Sequence, residues 1–329
     1  MELLLANHSG YPRIGESAEF QLLRRTIGQW EKGEKPDADL RAAENRLTEL
    51  ALADQIDAGL DIVTDGQIRW YDPVSHLAGK LSGIQINGLL RFFDTNTYFR
   101  QPVVHAKIER TKALGLEEFL FAQAKSAQPV KPVLTGPLTL ARLSIEQNGG
   151  AGGFEKVLEG YTAALAQEVA ALAAAGATLI QVDEPALLKH PGDVAHVERS
   201  LGALAAAKGA AQLALALYFG DPAPLYDELQ RLPIDVLALD FTYSPGLADV
   251  VATRGSSKTL ALGLVDGRNT KLEDPSTLAR VLERTAGRLG SSRAYLTPSC
   301  GLEYLPRDRA RLKLQHLSTI KKAFLGSKA

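Results

Sequence analysis

Eight short apolar runs constrain this chain more than any other feature. They fall at residues 3–6, 61–63, 132–134, 179–182, 213–217, 236–239, 259–264 and 294–296, and each ends in Gly, Pro or a polar cluster. None alternates apolar with polar residues, so each reads as a strand buried on both faces, as in a parallel sheet. Helical patterns fill most of the gaps, at 39–58, 154–175, 193–207 and 275–289. Strand–helix alternation repeated eight times predicts an α/β fold, a (β/α)₈ TIM barrel, over a doubly wound open sheet. Neither a linker nor an internal repeat interrupts residues 1–329, so one barrel domain is expected. A single stretch breaks the alternation. Residues 83–108 are rich in β-branched and aromatic side chains, with Phe92, Phe93, Tyr98 and Phe99 close together. This segment predicts a β-hairpin inserted after strand two, near a barrel end, where its aromatics could cover a ligand.

Bulk properties exclude several functions. A formal net charge of −1 gives no electrostatic basis for binding nucleic acid or an acidic membrane. No stretch approaches a membrane span. The apolar start, Leu3-Leu4-Leu5, lacks a basic lead-in and reads as a first strand rather than a signal peptide, so a cytoplasmic location is the expectation. The Gly-rich run at 149–153 has no Lys-Ser/Thr after it, which excludes a phosphate-binding P-loop. Cys300 is the only cysteine. One sulfur makes no disulfide, no CxxC redox pair and no sulfur-rich zinc finger. It serves either as a small buried hydrophobe or as a lone thiolate at the end of strand eight.

Barrel enzymes carry their chemistry at the C-terminal ends of the strands. Those ends here supply Ser9 and Arg13, then Asp65, Gln67 and Arg69, then Thr135. The later strands supply Asp183 and Glu184, Tyr218, Asp240, Asp266 with Arg268 and Asn269, and Ser299 with Cys300. A carboxylate directly after a buried strand is costly unless paired. Asp65, Asp183, Glu184, Asp240 and Asp266 all stand there, and Arg13, Arg69 and Arg268 are their possible partners. Two arrangements fit: a ring of ion pairs closing the barrel top, or a polar pocket. In a pocket, carboxylates would hold a ligand amine and arginines a ligand carboxylate, which describes an amino acid or an amino-acid-tailed cofactor.

Six of these strand-end segments resemble the cobalamin-independent methionine synthase family. They are Ser9-Gly10-Tyr11-Pro12-Arg13-Ile14-Gly15, Ala58-Gly59-Leu60-Asp61-Ile62-Val63-Thr64-Asp65-Gly66, Leu134-Thr135-Gly136-Pro137-Leu138-Thr139, Ile180-Gln181-Val182-Asp183-Glu184-Pro185-Ala186-Leu187, Gly263-Leu264-Val265-Asp266-Gly267-Arg268-Asn269 and Pro298-Ser299-Cys300-Gly301-Leu302. The resemblance implies a barrel, and methyl transfer from methyltetrahydrofolate to homocysteine. It also implies a zinc ion, held by a His-x-Cys pair after strand five, a glutamate after strand six and a cysteine after strand eight, which lowers the thiol pKa. This chain departs from that set. Tyr218 stands where the His-x-Cys pair belongs, Asp240 replaces the glutamate, and only Cys300 remains. Gln67 replaces the acid expected after Thr-Asp-Gly, the tryptophan expected after Gly-Pro is lost around Leu143, and Arg268 replaces a histidine. Tyr218-Phe219-Gly220 and Gly267-Arg268-Asn269 look like the N-terminal barrel of the long, two-barrel enzyme.

The resemblance therefore implies a methionine-synthase-like role in methyl transfer to homocysteine or a related small thiol, from a folate-type or corrinoid donor. Asp183, Glu184, Asp266 and Arg268 are the catalytic candidates. Ser9, Arg13, Asp65, Gln67, Arg69, Thr135, Tyr218, Asn269 and Ser299 are the substrate-binding candidates, and Cys300 and Asp240 the remaining metal candidates. One alternative is an accessory barrel that binds the methyl donor or a separate zinc-bearing barrel protein. A second is a metal-free lyase or decarboxylase on the same scaffold.

Overall fold

The computed structural model describes residues 2–147, 149 and 152–326, so the Gly-rich run lies partly outside the described residues. Ten strands form, in chain order: β1 (Glu2–Leu5), β2 (Leu81–Arg91), β3 (Tyr98–Arg110), β4 (Val133–Thr135), β5 (Ile145–Glu146), β6 (Leu179–Asp183), β7 (Gln212–Leu217), β8 (Val236–Asp240), β9 (Thr259–Val265) and β10 (Arg293–Pro298). Seven of them sit on the predicted apolar runs and pair in the order β1-β10-β9-β8-β7-β6-β4, all parallel. The eighth run, at 61–63, makes no regular strand. It contributes two single-residue parallel bridges, Ala6 to Ile62 and Val63 to Val130, which join β1 to the start of β4 and close the ring. The Asp61 carboxylate is part of this join, because its Oδ2 accepts from the Leu5 amide at 2.7 Å.

Side chains alternate across each strand. Ala214 and Ala216 of β7 pack with Val236, Ala238, Ala261 and Tyr295 in one small cluster. Their neighbours Leu213, Leu215 and Leu217 belong to the large outer core shared with the helices. Alanines on one face and leucines on the other suit a barrel whose narrow interior is filled by side chains. The predicted helices appear at Asp37–Asp57, Phe154–Ala174, Val194–Ala207 and Pro275–Ala286. The last begins with Asp274 accepting from the Thr277 amide, an N-cap. No helix among the described residues is long and apolar enough to cross a membrane.

The insertion is longer than expected and has a third strand. β2 and β3 form an antiparallel hairpin over residues 81–110, and β5 adds in parallel to β3. The register slips between Ser82 and Ile84, at Gly83, whose φ is +77°. A side chain there would strike the Lys107 carbonyl, so this bulge requires glycine. The hairpin tip bends over the barrel mouth. Phe92 is buried there, and Phe92 and Phe93 meet Phe219 with ring centroids 6.3 and 6.1 Å apart.

Candidate active site at the barrel mouth

A buried polar chain forms one side of the mouth. Lys131, which precedes β4, points inward, and its Nζ donates to the Asn7 carbonyl at 3.0 Å, the His8 carbonyl at 2.9 Å and Gln181 Oε1. Gln181 Nε2 donates to Asp183 Oδ1 at 2.7 Å, and the Tyr218 hydroxyl donates to Asp183 Oδ2 at 3.1 Å. Both oxygens of Asp183 are thus occupied. Burial pulls Lys131 down and pushes Asp183 up, while their mutual attraction opposes both shifts. Three acceptors around Nζ are what an ammonium needs, so the geometry holds the charged pair. His8 stacks edge-on against Tyr218 at 5.2 Å and shares a 2.9 Å hydrogen bond with Ser9 Oγ. Its pKa lies well below the usual histidine value because it is buried and faces Lys131, so it stays neutral.

Glu184 follows Asp183 but turns toward the backbone after β4. It accepts from the Leu138 amide at 2.9 Å, the Thr139 amide at 2.7 Å and Thr139 Oγ1 at 2.6 Å. It therefore anchors the start of the Pro137–Leu143 helix. Gly136 leaves room for it, since any side chain there would collide with the Glu184 carboxyl. Burial raises its pKa to about 7 against the pull of those donors.

The opposite corner is built by β8, β9 and β10. Asp240 Oδ1 accepts from Thr242 N at 2.8 Å and Thr242 Oγ1 at 2.6 Å, while Oδ2 is buried without a partner. Arg268 lies over the Tyr243 ring at 3.9 Å and donates to its hydroxyl. Asp266 accepts from the Arg268 amide at 2.8 Å and from Asn269 Nδ2. Ser299 Oγ accepts from the Gly267 amide at 3.2 Å. Cys300 is fully buried, and its Sγ donates to the Gly301 carbonyl at 3.4 Å. Burial, then Glu303 and Asp240, push its thiol pKa well above the usual range. Catalytic zinc takes about three protein ligands. This corner offers one thiol and the unpartnered carboxylate oxygens of Asp240 and Glu303, and β7 is followed by Tyr218. Among the described residues no group of three His, Cys, Asp or Glu side chains could hold a metal ion. The donor set does not fit zinc.

Between these two sides lie two cavities, and the strand ends alone did not single out the residue that joins them. The larger, about 500 Å³, is bounded by the hairpin tip at Asp94–Thr97 together with Asp266, Arg268 and Tyr304. The smaller, about 180 Å³, is lined by Arg13, Gln67, Trp70 and Tyr71. Glu303 and Thr97 line both. The Glu303 carboxyl occupies space left by two glycines, for a side chain at Gly10 or Gly301 would collide with it. Arg13 stands over Tyr71 at 5.6 Å, with its Nε buried and unpartnered. Asp65 is buried at the edge, accepts from the Gln67 amide at 3.1 Å, and has a pKa raised by burial to about 6. Gln67 itself takes a left-handed backbone, φ +52°. Thr135 Oγ1 donates to the Pro73 carbonyl. Arg69 does not join the mouth. It turns outward to Asn45 Oδ1 at 2.7 Å and to Glu44 on the Asp37–Asp57 helix. That contact spares its guanidinium the low-dielectric barrel interior. Lys131 and Glu303 are the residues that strand-end reasoning missed. A lysine set between Val130 and Pro132 at the start of an apolar run was the available signal for the first.

Residues 14–323 match the sequence model of the cobalamin-independent synthase catalytic domain. The chain belongs to the cobalamin-independent methionine synthase family. Among curated members it is 32% identical to the 5-methyltetrahydropteroyltriglutamate–homocysteine methyltransferase of Ralstonia pickettii, across 96% of this chain and 46% of that one. The chain thus spans about half the length of that relative. It is 30% identical to the methionine synthase of Saccharolobus solfataricus, across 92% of this chain and 90% of the relative. Among solved structures, the B12-independent methionine synthase of Shewanella sp. W3-18-1, in complex with selenomethionine, superposes with a TM-score of 0.78 at 22% identity, covering 99% of this chain and 100% of that one. That likeness agrees with the barrel seen here.

Proposed function

We propose that this family member is a methyl-transfer barrel that binds homocysteine or a closely related small amino-acid thiol at its mouth. The observation that carries the reading is the pairing of charges around the two cavities. Glu303 stands between Arg13 on one side and Arg268 on the other, beside the buried Asp183. Carboxylates and guanidinium groups facing one space are what an amino acid's ammonium and carboxylate require. The Ralstonia pickettii relative, named a homocysteine methyltransferase, supplies the thiol acceptor in this reading. The donor is a folate-type or a corrinoid methyl carrier, with the aromatic Trp70 and Tyr71 wall of the smaller cavity suited to a flat ring. As a single domain, the barrel would bring Asp183, Asp266 and Arg268 to one reaction space.

The test is direct. Purified chain is incubated with L-homocysteine and methyltetrahydrofolate, its triglutamate or methylcobalamin, with and without added zinc. Methionine is then measured by mass spectrometry. Formation of methionine from any donor supports the reading, and none from all three sinks independent catalysis. One observation favours a second reading, an accessory barrel: the corner holding Cys300 and Asp240 lacks the donors for zinc. Under that reading methionine appears only when a zinc-bearing homologous barrel is added, and the two proteins co-purify. A metal-free lyase or decarboxylase would instead release a product from the amino acid without any methyl donor.

A further inference from the structure

Glu303 is the least explained charged residue in the mouth. Its Oε2 is buried and has no hydrogen-bond partner, and no ion pair reaches it among the described residues. Asp183 contrasts with it, since both Asp183 oxygens are taken by Gln181 and Tyr218. The nearest cations, Arg13 and Arg268, line the same cavities, and neither forms an ion pair with Glu303 among the described residues. Asp183, Tyr218, Cys300 and Tyr304 are its electrostatic neighbours; burial, with Asp183 adding to it, raises its pKa to about 7 against hydrogen bonds from its own backbone amide and the Tyr304 side chain, which leave Oε2 unpartnered. A buried carboxylate in such company destabilises the fold unless something cationic arrives. Its place is not accidental packing, because Gly10 and Gly301 both keep the space open that its carboxyl fills. A side chain at Gly10 would also come within 3.1 Å of Gln67 Oε1, so Glu303 and Gln67 share the space above that glycine. Gln67 stands where the family resemblance leads one to expect an acid.

We infer that Glu303 is the specificity-determining carboxylate that receives the ammonium group of the bound amino acid. It supplies, from the loop after β10, the negative charge that position 67 lacks. This deepens the proposed function and rests on it. The ammonium would donate to Oε2, and the ligand carboxylate would face Arg13 or Arg268 across the same cavities. A ligand lacking the amine would gain nothing from Glu303.

The experiment is titration calorimetry under reducing conditions with L-homocysteine and with 4-mercaptobutanoate, its desamino analogue. The full-length chain is compared with Glu303→Gln, which keeps the shape and removes the charge. Glu303→Gln is expected to weaken homocysteine binding roughly ten- to a hundredfold, the range of one charged hydrogen bond. Binding of the desamino analogue should change less than about twofold. Adding Gln67→Glu to Glu303→Gln should restore most of the lost homocysteine affinity. Equal losses for both compounds, or no loss for homocysteine, overturn the inference and leave the methyl-transfer reading standing. If the unmodified chain binds no homocysteine, that reading falls and the inference with it. Thermal melting guards against misfolding, since removing an unpartnered buried charge should leave the variant no less stable at pH 8.

Discussion

The two sides of the barrel mouth treat their polar groups in opposite ways. On the β6 side, Lys131, Gln181, Asp183 and Tyr218 satisfy one another in a continuous chain, with Asn7 Oδ1 the one atom there left over. On the side of β8 to β10 and the smaller cavity, Asp240 Oδ2, Glu303 Oε2, Arg268 Nε and Arg13 Nε are buried without partners. A satisfied network contributes rigidity, and an unsatisfied one carries desolvation cost that a ligand can relieve. The difference separates the part of the mouth whose polar groups satisfy one another from the part where several buried ones are left without partners.

The strongest way to break that contrast is to remove Lys131. Lys131→Met would strand two carbonyls and the Gln181 oxygen, and leave Asp183 without its cation. Loss of one partner of a buried charge pair costs about 3–5 kcal/mol. Urea denaturation followed by circular dichroism measures it, and a loss under about 1 kcal/mol would deny the chain its structural role.

Glu303 should behave the other way. Its pKa of about 7 exceeds the ordinary glutamate value of 4.5, so folding favours its protonated form. Stability from that group is complete below pH 4.5 and is lost as pH rises through 7. Relative to Glu303→Gln, the unmodified chain should therefore lose up to about 3 kcal/mol between pH 5 and pH 8. Denaturation of both proteins at the two pH values reads this directly, and parallel pH profiles would show that burial does not raise the Glu303 pKa. Glu184 sits between the two extremes. It too is raised to about 7 by burial, yet three donors hold it. Glu184→Gln exchanges one acceptor oxygen for an amide among those donors and should cost about 2 kcal/mol at pH 7, less than Lys131→Met. A neutral outcome would mean that Glu184 is held protonated in the native state.

The barrel was legible in the sequence because strands buried on both faces leave unbroken apolar runs. The run at 61–63 was the least regular, and its ends explain why: Asp61 spends its carboxylate on the Leu5 amide, and only Ile62 and Val63 bridge their neighbours. β5 escaped notice because two residues paired to an insertion leave no periodicity. At the site, position after a strand pointed to Asp183, Asp240 and Asp266, because the barrel places strand ends together. It could not say where a long side chain turns. Arg69 leaves the mouth for Glu44 and Asn45, and Lys131 enters it from the strand's start. Such directions depend on neighbours distant in the chain, as with Gly10 and Gly301 making room for Glu303.

Cys300 gives the smallest expected effect and the finest test of the contrast. It belongs to the unsatisfied side by position, yet its thiol is buried and already donates to Gly301. A serine there can keep that hydrogen bond while fitting its apolar surroundings less well, so Cys300→Ser should cost about 1 kcal/mol. The native thiol should react slowly with a disulfide reagent at pH 8, because burial holds its pKa well above the usual range and little thiolate is present. Among the described residues no group of three His, Cys, Asp or Glu side chains gathers around it, so Cys300→Ser should leave the zinc content of the purified chain unchanged. A full equivalent of zinc, lost on that substitution, would show that Asp240 and Cys300 recruit further ligands on metal binding. The unsatisfied side would then be a metal site awaiting its ion rather than a pocket awaiting an amino acid.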